Sequence, residues 1–466
     1  AKSNKAQIIT KGAVGFWRTV GSSGTNPAFR RRSGSNSAFV SVMAMSRFFY
    51  SLLLYLLMPL VLLYLAGRSL KERAYRQRWK ERFGFGTRQL PSQPVWLHAA
   101  SVGEVQAAAP LVRALQRERP DLPLLITTTT PAGSGRVRAL FGESVGHCYL
   151  PFDLPGAVRR FLRQVRPRLA IVMETELWPN LFHALAARRT PILIANARLS
   201  PGSLKRYRRL PRLIRATLAC VDTIAAQSPR DAERYAALGA EPRQLVTTGN
   251  VKFDLALPVG LRGQGRALRA DFGRDRPVWI AASTHGGEEE LVLAAHRRLL
   301  ERWSRLLLVL VPRHPDRFER VAELCRAEGF ALACRSRGEP AAAAQVYLGD
   351  TMGELMMLYA ASDVAFVGGS LVPVGGHNLL EPAALGLAPL SGPQLFNFEE
   401  IAQLLKEARA LTVVEDAAAL AEQVAALLAD AEARLAAGAR ARQVVEENRG
   451  ALGRTLELVD ALLRQT

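Results

Sequence analysis

The run HAASVGEV, His98 to Val105, closes an apolar stretch (Pro94, Val95, Trp96, Leu97) and opens a helical pattern. A carboxylate at a strand-to-helix junction lies where ligands of α/β sheets bind. There Glu104 could take the proton from an attacking hydroxyl, a role worth roughly 100-fold to 10,000-fold in rate. His98 and Ser101 stand close enough in sequence to orient that carboxylate or touch a substrate. The plainer role is an acid in the first helical turn, favoured by the helix dipole.

A second acidic pair, Glu174 and Glu176 in METELWPN, follows another buried apolar run. Its spacing resembles acidic cation sites, but no further oxygen ligands accompany it, so no metal is expected and the two acids are assigned to orienting substrate. The following segment NARLSPGSLKRYRRLPRLIR carries Arg198, Lys205 and Arg206 among its cations. Such a cluster is a solvated helix face or a seat for phosphates beside an anionic surface.

Three stretches in the second half fit an anionic nucleotide. In STHGGEEE, Ser283 or Thr284 is placed to cap a helix, with His285 and free backbone N–H groups facing a phosphate. In VPRHP, Arg313 and His314 end a strand on a turn bounded by proline. In VGGSLVPVGGHNLLEPAALG, Gly369, Gly375 and Gly376 would let backbone approach a ligand. His377 and Asn378 are expected to start a helix there, with Glu381 one turn on and free to accept from ribose hydroxyls.

These groups need a scaffold that gathers strand ends. Apolar runs alternate with amphipathic ones, which predicts βαβ units. Strands are expected near 94–100, 122–130, 146–152, 168–175, 191–198, 221–227 and 245–250, then near 277–283, 306–312, 330–334, 345–348, 363–368, 387–391 and 410–414. A Gly- and Arg-rich stretch, 257–276, reads as a linker between a half at 68–256 and another at 277–466. The expected fold is α/β, two Rossmann-like domains facing a cleft. Neither half has GxGxxG after its first strand, which disfavours a dinucleotide, and no cofactor is expected.

Sixty-two Lys plus Arg against 41 Asp plus Glu give a net charge of +21, a balance that attracts polyanions. No recognisable nucleic-acid-binding motif accompanies it. Cys148, Cys220, Cys325 and Cys334 lack paired spacing and read as reduced, buried thiols. Residues 48–66 carry no charge and as a helix would extend roughly 28 Å, against a hydrocarbon core of about 30 Å, so 46–67 reads as a membrane anchor. Seven Lys or Arg between Arg68 and Arg82, against four between Arg30 and Arg47, put the body of the protein in the cytosol. Pro59 and the basic flanks also fit a re-entrant or monotopic arrangement. Residues 1–45, rich in Ser, Gly and Arg, read as a disordered extension, with Met43 or Met45 as a natural start.

Taken together, HAASVGE, ETELWPN, NARLS, GNVKFD, PRHP and GGHNLLEPA, in this order after an apolar anchor, closely resemble the Kdo (3-deoxy-D-manno-octulosonic acid) transferase family of lipopolysaccharide synthesis, over about residues 46–460. The resemblance implies a GT-B fold, CMP-Kdo as donor and a tetraacyldisaccharide 1,4'-bisphosphate lipid A precursor as acceptor, at the cytoplasmic face of the inner membrane. It places the general base on Glu104 and donor-site motifs on Arg313, His314, Asn378 and Glu381. Two alternatives fit the residues alone: another GT-B enzyme using a UDP-sugar, and a non-enzymatic membrane-bound polyanion binder.

Overall fold

The computed structural model describes residues 37–71, 73–86 and 90–466, with side chains from Met45 onward except Lys71. The expectation for residues 1–36 lies outside the described residues. From Ser37 to Lys71 the chain is one helix, so helical structure begins ahead of the expected anchor boundary.

Two seven-stranded, wholly parallel sheets follow. The first holds β1 (Val95–His98), β2 (Leu124–Thr128), β3 (Gly146–Tyr149), β4 (Leu169–Met173), β5 (Ile192–Ala197), β6 (Thr223–Ala226) and β7 (Leu245–Thr247). The second holds β8 (Val278–Thr284), β9 (Leu307–Pro312), β10 (Leu332–Cys334), β11 (Val346–Leu348), β12 (Val364–Val367), β13 (Pro389–Ser391) and β14 (Thr412–Val413). All lie where the apolar runs placed them, because helices cover both faces of each sheet and bury its central strands, while the edge strands β7 and β14 stay partly exposed.

Strand order decides where ligands can enter. It runs β3-β2-β1-β4-β5-β6-β7 in the first sheet and β10-β11-β9-β8-β12-β13-β14 in the second. The chain reverses its winding between β1 and β4, and again between β8 and β12. At such a switch point the loops leaving neighbouring strands turn to opposite faces and open a crevice.

Two boundaries differ from the sequence reading. The stretch 257–276 is not a bare linker: Leu261–Phe272 forms a helix of the second half, with Leu261, Leu268 and Phe272 at most 4% exposed. Its glycines mislead because one serves packing, since a Cβ on Gly265 would meet that of Ala360 at 2.5 Å. Phe272 also meets the Tyr347 ring edge-on at 4.9 Å. Nor does the second half keep the chain to its end. The last helix, Ala451–Leu463, returns to the first sheet and buries Ala451, Val459 and Leu462 in its core. Asp254 of GNVKFD receives that helix, its carboxylate accepting from the N–H groups of Gly450 and Leu452, both at 2.6 Å. The four cysteines are free thiols, three of them buried and Cys220 half-buried.

Gly265→Ala should cost roughly 1–3 kcal/mol by overpacking. Gly263→Ala, in the same helix with open space around it, should stabilise by up to about 1 kcal/mol. Thermal unfolding of the two variants checks this, and a true linker would show neither effect.

Candidate active site

The first crevice is lined by carboxylates. Ser101 caps the helix Val102–Glu118, its hydroxyl accepting from the Glu104 N–H at 3.3 Å. The Glu104 side chain turns back and accepts from the Ala100 N–H at 2.7 Å and the Ser101 hydroxyl at 3.1 Å. The helix-acid role and a chemical role are therefore compatible, since the first turn fixes the rotamer that a base would need. Burial pushes the Glu104 carboxyl up to about 7; the charges of Glu174 and Glu176 add to the rise, and the two hydrogen bonds oppose it.

Glu174 and Glu176 thus face Glu104 across the β1–β4 switch, as strand order requires. Glu174 has a left-handed backbone, φ +57°. For a residue with a Cβ that costs roughly 1–3 kcal/mol and persists only where surroundings enforce it. Here its N–H donates to the Ala195 carbonyl at 2.9 Å and its carbonyl accepts from the Tyr235 hydroxyl at 3.1 Å. Burial also raises the Glu176 carboxyl, with Glu174 contributing. Sequence reasoning missed Lys252, whose ammonium lies 3.7 Å from the Glu174 carboxylate and 5.9 Å from the centre of the Phe398 ring in the second half.

His98 is fully buried, its Nδ1 lies 2.9 Å from the Thr127 hydroxyl, and burial holds it neutral by pulling its pKa down to about 4. It packs edge-on against Trp178 at 6.3 Å, which makes it a support for the strand end. Arg198 is half-buried, and its charge acts on Glu400 of the second half. Lys205 and Arg206 stand exposed on the helix Pro201–Tyr207.

The second crevice is lined by cations and imidazoles. The His285 and His377 rings stack with centroids 5.1 Å apart and Nε2 atoms 2.8 Å apart. The His314 ring meets His285 edge-on at 5.3 Å. Burial pulls the His377 pKa down to about 3, with Arg313, His285 and His314 repelling its proton; burial lowers His285 too, with His314, Arg313 and Arg317 adding. From the first half, Arg136 comes within electrostatic reach of Arg313. Cationic groups gathered this way favour an anion between them.

Three local expectations need correction. Ser283 and Thr284 cap no helix: they end β8, Ser283 at a bulge with φ +59°, and the helix begins only at Glu289. His377 and Asn378 do not start a helix; the Asn378 side-chain carbonyl accepts from the Leu380 N–H at 3.2 Å, and the helical turn spans only Leu380–Ala384. The Asn378 amide donates to Glu381 at 3.2 Å, so this pair is joined directly, and His377 and Glu381 are not on one helical face. The glycines make room for protein. A Cβ on Gly375 would strike Asn397 and Phe396 at 2.4 Å, one on Gly376 would strike Leu395 at 2.8 Å, and one on Gly369 would strike His377 at 2.8 Å.

The residue that joins the two loops of this crevice was also missed. Glu288 is fully buried, and its carboxylate accepts from the N–H groups of Gly369 at 2.6 Å and of Ser370 and Leu371 at 3.0 Å, and from that of His285 at 3.3 Å. It ties the loop after β12 to the loop after β8. In STHGGEEE it looked like one acid of a helical run, and only strand order reveals its partners. Among the described residues no group of three or more His, Cys, Asp or Glu is arranged to hold a metal ion.

In fold, the chain is similar to a glycosyltransferase from Rickettsia africae ESF-5, with a TM-score of 0.51 at 15% identity over 80% of this chain and 100% of that one. Two parallel-sheet domains of this kind are the GT-B fold. At the sequence level, residues 77–255 match the family described as 3-deoxy-D-manno-octulosonic-acid transferase (kdotransferase). The 3-deoxy-D-manno-octulosonic acid transferase of Haemophilus influenzae is 49% identical over 90% of this chain and 100% of its own length. That of Bordetella pertussis is 38% identical over 89% and 99%. The chain belongs to the Kdo transferase family and is a glycosyltransferase.

Removing the Glu288 carboxylate should leave buried amides without acceptors, at roughly 1–3 kcal/mol for each. Glu288→Ala should therefore unfold at lower temperature than wild type, with Glu288→Gln intermediate because it keeps one acceptor oxygen. Equal melting of all three would show that the loops stand without it.

Proposed function

We propose that this enzyme transfers Kdo from CMP-Kdo to a hydroxyl of the phosphorylated lipid A precursor, with inversion at the anomeric carbon and with Glu104 as general base. The observation that carries the reading is the state of Glu104: a carboxylate locked by its own helix turn, with a pKa near 7, at the switch point of the half that bears the apolar helix. A base tuned close to working pH is ionised often enough to act and basic enough to pull a proton.

In this mechanism the acceptor hydroxyl gives its proton to Glu104 as its oxygen bonds to the anomeric carbon of Kdo. The bond from that carbon to the phosphate oxygen breaks, and CMP leaves with the electron pair. Arg313 supplies positive charge, and His314 and the His285–His377 pair supply ring N–H donors, for the leaving phosphate, so the reading needs no divalent ion. Asn378 and Glu381, already paired, are assigned to the donor's sugar hydroxyls. Burial raises the base's proton affinity and Glu174 and Glu176 add to it, while Arg198, Lys205 and Arg206 meet acceptor phosphates. The net charge of +21 and the basic run after the apolar helix support work at the cytoplasmic face of the inner membrane.

The test is transfer from CMP-Kdo to the lipid A precursor with EDTA present. Wild type should make product, and Glu104→Gln, folded by circular dichroism, should lose roughly 100-fold to 10,000-fold. Full activity in that variant would move the base elsewhere. Competition by UDP as strong as that by CMP would overturn the donor assignment.

A further inference from the structure

The apolar helix is long and apolar enough to cross a bilayer, yet its attachments do not suit crossing. Near one end the Tyr50 hydroxyl donates to Asp153 at 3.1 Å and the Ser51 hydroxyl donates to the Asn180 side chain at 3.1 Å. Beyond the other end the Phe152 N–H donates to the Arg82 carbonyl at 2.8 Å, and the Tyr149 N–H donates to the Glu81 carboxylate at 2.9 Å. Phe152 and Asp153 are consecutive residues, so the segments that flank the helix are held at one place on one domain.

A continuous helix running from Tyr50 to Leu70 advances roughly 30 Å, about the thickness of the hydrocarbon core. Were it to cross, the return to Phe152 would drag Arg73, Arg76, Arg78 and Lys80 back through lipid, each at a cost of roughly 3 kcal/mol or more. The helix surface agrees with lengthwise seating. Ser51, Leu54, Met58, Val61, Leu65 and Ser69 form a half-buried to buried stripe at helical spacing. Phe48, Phe49, Leu53, Leu56, Leu60 and Leu63 are each more than half exposed. The helix has no polar face of its own, and the protein supplies one by covering that stripe.

We propose that the helix is monotopic: it lies in the plane of the membrane, apolar side chains sunk into one leaflet, and never crosses. The occupant of the exposed face is an anionic lipid leaflet, because cations flank it. Tyr50 is an electrostatic neighbour of Tyr207, which ends the helix carrying exposed Lys205 and Arg206, and exposed Arg208 and Arg209 follow. Such cations attract anionic headgroups at the depth where the apolar face enters.

This rests on the membrane-surface reading above, and the experiment separates the two. Full-length protein with one epitope at each terminus is recovered in sealed inverted inner-membrane vesicles and treated with protease. The proposal expects both epitopes to be digested from outside. Protection of the N-terminal epitope alone would mean a crossing helix and would overturn it while leaving the membrane reading intact; recovery of the protein wholly in the soluble fraction would overturn both. Separately, Leu56→Glu with Leu60→Glu should cut binding to phosphatidylethanolamine–phosphatidylglycerol vesicles at least about tenfold with unchanged thermal unfolding. Undiminished binding by that folded double variant would show that the exposed face does not enter lipid.

Discussion

A parallel sheet covered by helices on both faces leaves its ends as the open approach to ligand, and this chain has two such sheets. That constraint fixes the rest. Glu104 and the pair Glu174 and Glu176, far apart in sequence, become neighbours because β1 and β4 are adjacent where the winding reverses. His285 and His377 meet because β8 and β12 are. The two crevices differ in chemistry: the first gathers carboxylates whose burial raises one to about 7, and the second gathers arginines and imidazoles, where burial and then neighbouring positive charge disfavour the protonated forms of His285 and His377. Under the mechanism we propose, the first would take the proton and the second would hold the leaving phosphate, as displacement of a nucleotide by a hydroxyl requires.

Contacts between the halves keep this division of labour in register. Lys252 of the first half pairs with Glu174 and lies against Phe398 of the second, and Glu400 of the second lies in the field of Arg198, Lys252 and Arg234 of the first. The last helix returns to the first sheet and is received by Asp254, two residues beyond Lys252. A single short motif, GNVKFD, thus ties the acidic crevice to the second half and anchors the returning helix.

The strands were legible because a buried parallel strand must be a continuous apolar run, and such runs leave little ambiguity. The place of Glu104 in the first turn after a strand was legible because a helix start after such a run marks the sheet's ligand edge. Other features were hidden for physical reasons. Gly265 lies in the stretch read as a linker, although a side chain there would meet Ala360. Asn378 read as a helix start, although its side chain takes the first free amide and delays the helix to Leu380. Glu288 and Lys252 act through partners 81 and 78 residues away, and no local pattern encodes such pairings. His98 read as functional from its place in the motif, and the motif gave no sign that the ring is fully buried with Nδ1 against Thr127.

Burial, reinforced by the charges of Glu174 and Glu176, sets the proton affinity of Glu104, and the pH dependence of kcat/KM reads that affinity. The free enzyme's base must be ionised, so activity should fall as pH drops through about 7. Neutralising a neighbouring charge with Glu174→Gln should move that acid limb to lower pH, because it removes repulsion that disfavours the ionised form. A wild-type limb in the ordinary carboxylate range near ~4.3, or a limb that Glu174→Gln leaves in place, would contradict it.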